Sequence, residues 1–241
     1  MFTRFFRALS TGDLLQSALK QANSMLQISE EMFIAVTDLL LYRKPLLYDI
    51  YRQDQEINRM EMEVRKKVLE HLSLYPKQDI VASLTLTTMI VSVERLGDYS
   101  KNIYELASLY PESFDGAPCA TDLVEQTKKV LSEFGLTTRA IKHELRDDAQ
   151  TVLVMHRSIS QACDQIVGNY AKSGVGNAKE AVMCVLYSRY LKRTSAHLMN
   201  IASIALNPFD RIGFYPLKAT KAEELESIFG YASGPENEDD E

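Results

Sequence analysis

The chain has 241 residues, with 33 acidic against 27 basic side chains and a formal charge of −6. Its 46% apolar and 25% charged residues are the mix of an ordinary globular protein, and the sparse glycines and prolines exclude collagen-like and low-complexity classes. Five of the acids fall within residues 236–241, so residues 1–235 carry only −1; nothing in this balance favours nucleic acid as a partner.

In chain order, residues 1–11 come first. They carry Phe2, Phe5, Phe6 and Leu9 with Arg4 and Arg7, and read as a short flap packed on the body, the alternative being contact with a membrane surface or a partner. Residues 12–41 follow with Leu15, Leu19, Ala22, Leu26, Phe33 and Val36 at helical spacing. The longest apolar run, 32–41, contains Asp38 and is far short of the ~20 residues of a membrane span.

Residues 44–74 form the second segment, opened by Pro45 as a first helical residue and striped by Leu47, Ile50, Ile57, Val64, Val68 and Leu72. The third, 79–109, carries Leu86, Met89, Val93, Leu96 and Ile103. Helices of this length run to about 45 Å. Prolines mark the joints between them, because proline breaks helix interiors.

From Cys119 to Asn207 there is no proline, and glycine punctuates instead. The joint between the fourth and fifth helices falls within 135–148, where Gly135 and the Asp147–Asp148 pair are the signals. Gly174 and Gly176 mark the next joint, and Asn177 with Glu180 reads as a capping box opening a sixth helix over 178–206. The two halves are related at an offset of 98: Arg95, Asn102, Ile103 and Ala107 fall on Arg193, Asn200, Ile201 and Ala205. The expected fold is all-α: two tandem antiparallel three-helix bundles over 12–110 and 118–206, with an extension over 207–241 that ends in a solvated acidic tail.

Three cysteines, Cys119, Cys163 and Cys184, are too few and too scattered for a disulfide framework or a CxxC metal site. With no secretion signal in the sequence they read as reduced thiols in the cytoplasm. Catalytic templates are missing: there is no HExxH, Walker loop or GxSxG, and no glutamate stands three residues before His71, His143, His156 or His197. That last absence removes the Glu-x-x-His pairs of di-iron bundles.

The chemistry that remains is carboxylate. Glu94 and Asp98 are four apart and share one face at the edge of the third helix's exposed side, beside Lys101. Gly97 between them bares the helix where another backbone, or a metal and its water, can approach. On the preceding helix Asp54 and Asn58 are again four apart, and Asp54 and Glu61 fall on a heptad seam with Leu47 and Val68. Antiparallel packing of the two helices lets these sets converge, and a hard cation would relieve the repulsion.

The stretch "ERLGDYSKNIYELA" at 94–107 resembles the third-helix signature of PhoU-type phosphate-signalling proteins, and "DQEINRMEMEV" at 54–64 is similar to their second helix. The resemblance, with the two-bundle plan, covers residues 12–206. It implies a cytoplasmic, non-enzymatic regulator that acts on a phosphate transporter or its signalling proteins. Such a protein reaches the membrane only through its partner, and a homodimer is compatible with this reading. It also implies iron or another divalent or trivalent metal on the first bundle, held by Glu94, Asp98 and Asp54. Asn58 stands where the family usually has a second aspartate.

At the corresponding second-bundle positions stand Lys192, Ala196, Val152 and His156, so no metal is expected there. The alternatives are a helical interaction protein without metal and a metal-dependent enzyme using the same carboxylates.

Overall fold

A computed structural model describes residues 13–110, 119–173 and 177–215. Among these residues the chain is all-helical. α1 (Asp13–Tyr42), α2 (Ile50–Leu74) and α3 (Ile80–Leu109) form one up-down-up bundle, and α4 (Ala120–Lys142), α5 (Arg146–Ser173) and α6 (Ala178–Ser203) form a second. A 3₁₀ turn, Phe209–Arg211, follows and packs on α3. The expected flap at 1–11, the joint glycines Gly174 and Gly176, and the tail beyond 215 lie outside the described residues.

The apolar stripes meet as their spacing requires. Leu15, Leu26, Phe33, Ile57, Val64, Leu86, Met89, Val93, Leu96 and Ile103 are all buried in one continuous core. That core runs into the second bundle through Phe134, Tyr187 and Leu198, with the Phe33 and Phe134 rings 5.4 Å apart. α3 lies along α6 and α1 along α4, so the bundles share a seam. α3 is long and apolar enough to cross a membrane by composition, and over half of that stretch is buried inside the protein.

The internal repeat is visible in contacts. Tyr99 faces His197, its equivalent at the offset of 98, with ring centroids 5.8 Å apart, while Tyr110 lies under the Lys179 ammonium at 5.3 Å. α3 and α6 therefore run antiparallel about a centre near Tyr99 and His197. Arg43 donates to the Ala107 carbonyl at 3.4 Å, and Arg146 to that of Ala205 at 3.1 Å. These two carbonyls are matched at the offset of 98, so each bundle ties down the end of its third helix in the same way.

Two joints depart from expectation. α2 begins at Ile50, not at Pro45, because Asp49 caps it: the Asp49 carboxylate accepts from the Tyr51 and Arg52 amides. Leu47, placed on the seam by its heptad spacing, is 91% exposed in the connection. Gly135 is helical, and the turn falls at 143–145, where Glu144 adopts φ +55°. Asp147 and Asp148 then open α5, favourably placed at its positive end. Asn177 caps α6 as expected, its side chain accepting from the Glu180 amide at 2.9 Å.

The cysteines also differ. Cys119 and Cys184 form a disulfide across 65 residues of sequence, while Cys163 is a buried free thiol. Folding brings the start of α4 beside the first turns of α6, a proximity that sequence spacing does not reveal.

Candidate functional site

The site is built where α2 and α3 cross. A Cβ on Gly97 would stand 2.9 Å from Ile57 Cδ1 and 3.9 Å from Asp54 Oδ1, so the bare glycine is what lets α2 approach this closely. The close crossing fixes an antiparallel register. Ile57 lies against Gly97, Asp54 opposite Lys101, and Tyr51 hydrogen-bonds Glu105 at 3.3 Å. This register delivers the carboxylates of both helices to one place.

A chain of ion pairs results. Lys101 Nζ is 2.9 Å from Asp54 Oδ2 and 3.1 Å from Asp98 Oδ1. Arg95 reaches Asp98 Oδ2 at 2.7 Å and Glu94 Oε2 at 3.4 Å, and Arg65 holds Glu61 at 2.7 Å. Asp54 is buried, and Glu94, Asp98 and Lys101 are half-buried, so these charges are not the solvated rim their helical-wheel positions suggest. Burial alone would lower Lys101, but its hydrogen bonds to Asp54 and Asp98 outweigh that and hold its ammonium above the usual lysine range. Glu94 is pushed up to about 6, first by burial and then by Asp98, with Arg95 opposing and Glu61 and Asp54 adding.

The structure thus gathers Asp54, Asp98 and Glu94 but does not arrange them as a metal centre. A hard cation seeks six or more oxygen ligands. Here Asp54 and Asp98 share an ammonium, Arg95 lies against Asp98 and Glu94, and Asn58, one turn along α2 from Asp54, offers only a neutral oxygen. Among the described residues no three His, Cys, Asp or Glu side chains converge as ligands. In the sequence Lys101 is only a neighbour of the acidic pair. The structure makes it the hub.

The second bundle fills the same crossing with other chemistry. Lys192 pairs with Asp164 at 2.5 Å. Val152 is fully buried, and Ser195 stands where the first bundle has Gly97. The Ser195 hydroxyl donates to Glu133 Oε1 at 3.0 Å and lies 2.9 Å from His156 Nδ1. Glu133 is fully buried, and burial pushes its carboxyl well above the usual range, against the opposing Ser195 hydrogen bond. His156 is pushed down to about 4 by burial and by Lys192 and Arg157; His197 likewise to about 4 by burial and by Arg95 and Arg193. This three-helix polar chain escaped the sequence reading, because Glu133, Ser195 and His156 share no spacing.

Fold and site together define a two-bundle helical protein with an ion-paired helix crossing in its first half. The family model of the PhoU domain matches residues 22–107, from within α1 nearly to the end of α3. A comparison with curated proteins gives no match.

Proposed function

We propose that this protein is a PhoU-like adaptor that restrains phosphate uptake or phosphate signalling. It acts in the cytoplasm, by contact with a phosphate transporter or an associated signalling protein rather than by catalysis. The observation that carries this reading is the PhoU domain match over residues 22–107, which lies within one three-helix unit and touches all three of its helices. The ion-paired crossing of α2 and α3 supports it as a rigid, charged face suited to protein contact.

The test is genetic and direct. Cells lacking the chain should take up radiolabelled phosphate faster in phosphate-rich medium, and the full chain expressed from a plasmid should restore restraint. In-cell crosslinking should then recover a phosphate-transporter subunit or a phosphate-responsive kinase. Uptake that is unchanged by deletion, with neither class of protein crosslinked, would reject the reading.

A further inference from the structure

The family resemblance leads to the expectation of a metal across α2 and α3, and the structure puts a side chain there. We infer that Lys101 is the resident cation of this crossing: its ammonium stands between Asp54 and Asp98 where a metal ion would, and the first bundle is built to fold without metal at that place.

Geometry is the first support. Lys101 Nζ lies within hydrogen-bond distance of one oxygen from each of two carboxylates on two helices, 2.9 Å to Asp54 and 3.1 Å to Asp98. It therefore joins α2 to α3 as a bridging ion would. The remaining oxygen of Asp98 is taken by Arg95 at 2.7 Å. An incoming divalent ion would meet two fixed positive charges and would have to displace both.

The internal repeat is the second, independent support. At the offset of 98, Asp54, Asp98 and Lys101 become Val152, Ala196 and Met199. All three charges are absent from the second bundle together. Val152 and Met199 are buried in one apolar cluster there, and methionine is close to lysine in length with the charge removed. A lysine present only to keep a surface soluble has no reason to vanish with two acids on other turns. A lysine whose task is to neutralise those acids does. Exchange of a charged triad for an apolar one at a matched position is what the energetics of partly buried ion networks permit. The intact set and the fully apolar set are both acceptable, and only the broken set is costly.

The inference does not depend on the transport reading and is tested on the purified full chain, so the two fail separately. Thermal unfolding is followed with and without millimolar MnCl2 or a ferrous salt, and bound metal is measured by mass spectrometry after dialysis. The wild-type Tm should not move with either metal. Lys101→Met should unfold about 3–6 °C lower and should gain a metal-dependent rise in Tm, since Asp54 then lacks a counter-ion and Asp98 keeps only Arg95. The triple variant Asp54→Val, Asp98→Ala, Lys101→Met, which installs the second bundle's set, should recover most of the loss and show no metal response.

Three results would overturn the inference. One is stoichiometric metal on the wild type that disappears in Asp54→Asn, Asp98→Asn. Another is a Lys101→Met protein that loses stability yet gains no metal response. The third is a triple variant no more stable than Lys101→Met. Should the single variant fail to fold, the triple variant against wild type still decides.

Discussion

The two bundles pose the same packing problem and solve it differently. In the first, a glycine brings α2 against α3, and the ions Asp54, Lys101, Asp98 and Arg95 bind the crossing at its edge. In the second, Ser195 replaces the glycine, the ions give way to Val152 and Met199, and the polar groups withdraw inward to the chain Glu133–Ser195–His156. A covalent bridge, Cys119–Cys184, then ties α4 to α6, and no disulfide appears among the described residues of the first bundle. One helical plan thus accepts either a network of paired charges or a crossing with an apolar pair, a single Lys192–Asp164 ion pair and a staple.

The largest expected effect tests the staple. Closing a loop of 65 residues removes unfolded-state entropy equivalent to about 4 kcal/mol in the chain-entropy account. Replacing both cysteines by serine in oxidised protein should lower the unfolding free energy by that order, measured in guanidinium with the slope of the transition monitored for loss of two-state behaviour. The comparison predicts where the loss falls. Amide exchange should rise in α4 and α6 while the α2–α3 crossing stays protected. Uniform loss of protection across both bundles would mean that the shared core, not the staple, sets the stability of the second half.

How much of this was legible in the sequence follows from what each feature needs. Long helices announce themselves by periodicity, so α1 and α3 match their expected spans nearly residue for residue. The start of α2 did not, because Pro45 and Asp49 are both helix-opening signals and only the backbone shows that Asp49 makes the cap. Glu94, Asp98 and Asp54 were legible as a set because Glu94 and Asp98 stand four apart on α3 while Asp54 falls on the heptad seam of α2. That Lys101 sits between them depends on the register of two helices, which Gly97 and Ile57 set in three dimensions. The disulfide and the buried Glu133 chain join residues 39 to 65 apart and have no local pattern at all.

Titration should separate the halves next. His156 sits at about 4 in the folded protein, below the ordinary histidine value near 6.5. The unfolded chain therefore binds its proton first, and stability is lost as pH falls from 6.5 through 4. With the group partly exposed, the loss is about 2 kcal/mol. Glu94 runs the other way. Its carboxyl is raised to about 6, so the native state takes up the proton first and acidification through that range stabilises. In urea unfolding compared between pH 7 and pH 4.5, His156→Gln should flatten the acid loss, and Glu94→Gln should steepen it. Matching slopes in the two variants would show that neither group senses the surroundings described here.

The smallest expected effect is the most local, and it asks whether the close crossing of the first bundle rests on Gly97 alone. Alanine there gains up to about 1 kcal/mol of helix propensity. Its methyl would lie 2.9 Å from Ile57 Cδ1, in a side chain only 1% exposed, and crowding a packed core costs about 1–3 kcal/mol. The net expectation for Gly97→Ala is a loss of about 1 kcal/mol. Ile57→Val removes the clashing atom, so in that background Gly97→Ala should become neutral or stabilising, a coupling that a double-mutant cycle reads directly. The electrostatics supply the control. If the methyl pushes α2 outward instead of displacing Ile57, Asp54 moves away from Lys101, and the loss should persist in the Ile57→Val background and shrink as salt is added. A loss that is cured by Ile57→Val and indifferent to salt would assign the register to packing, with the ions settling into a crossing already made.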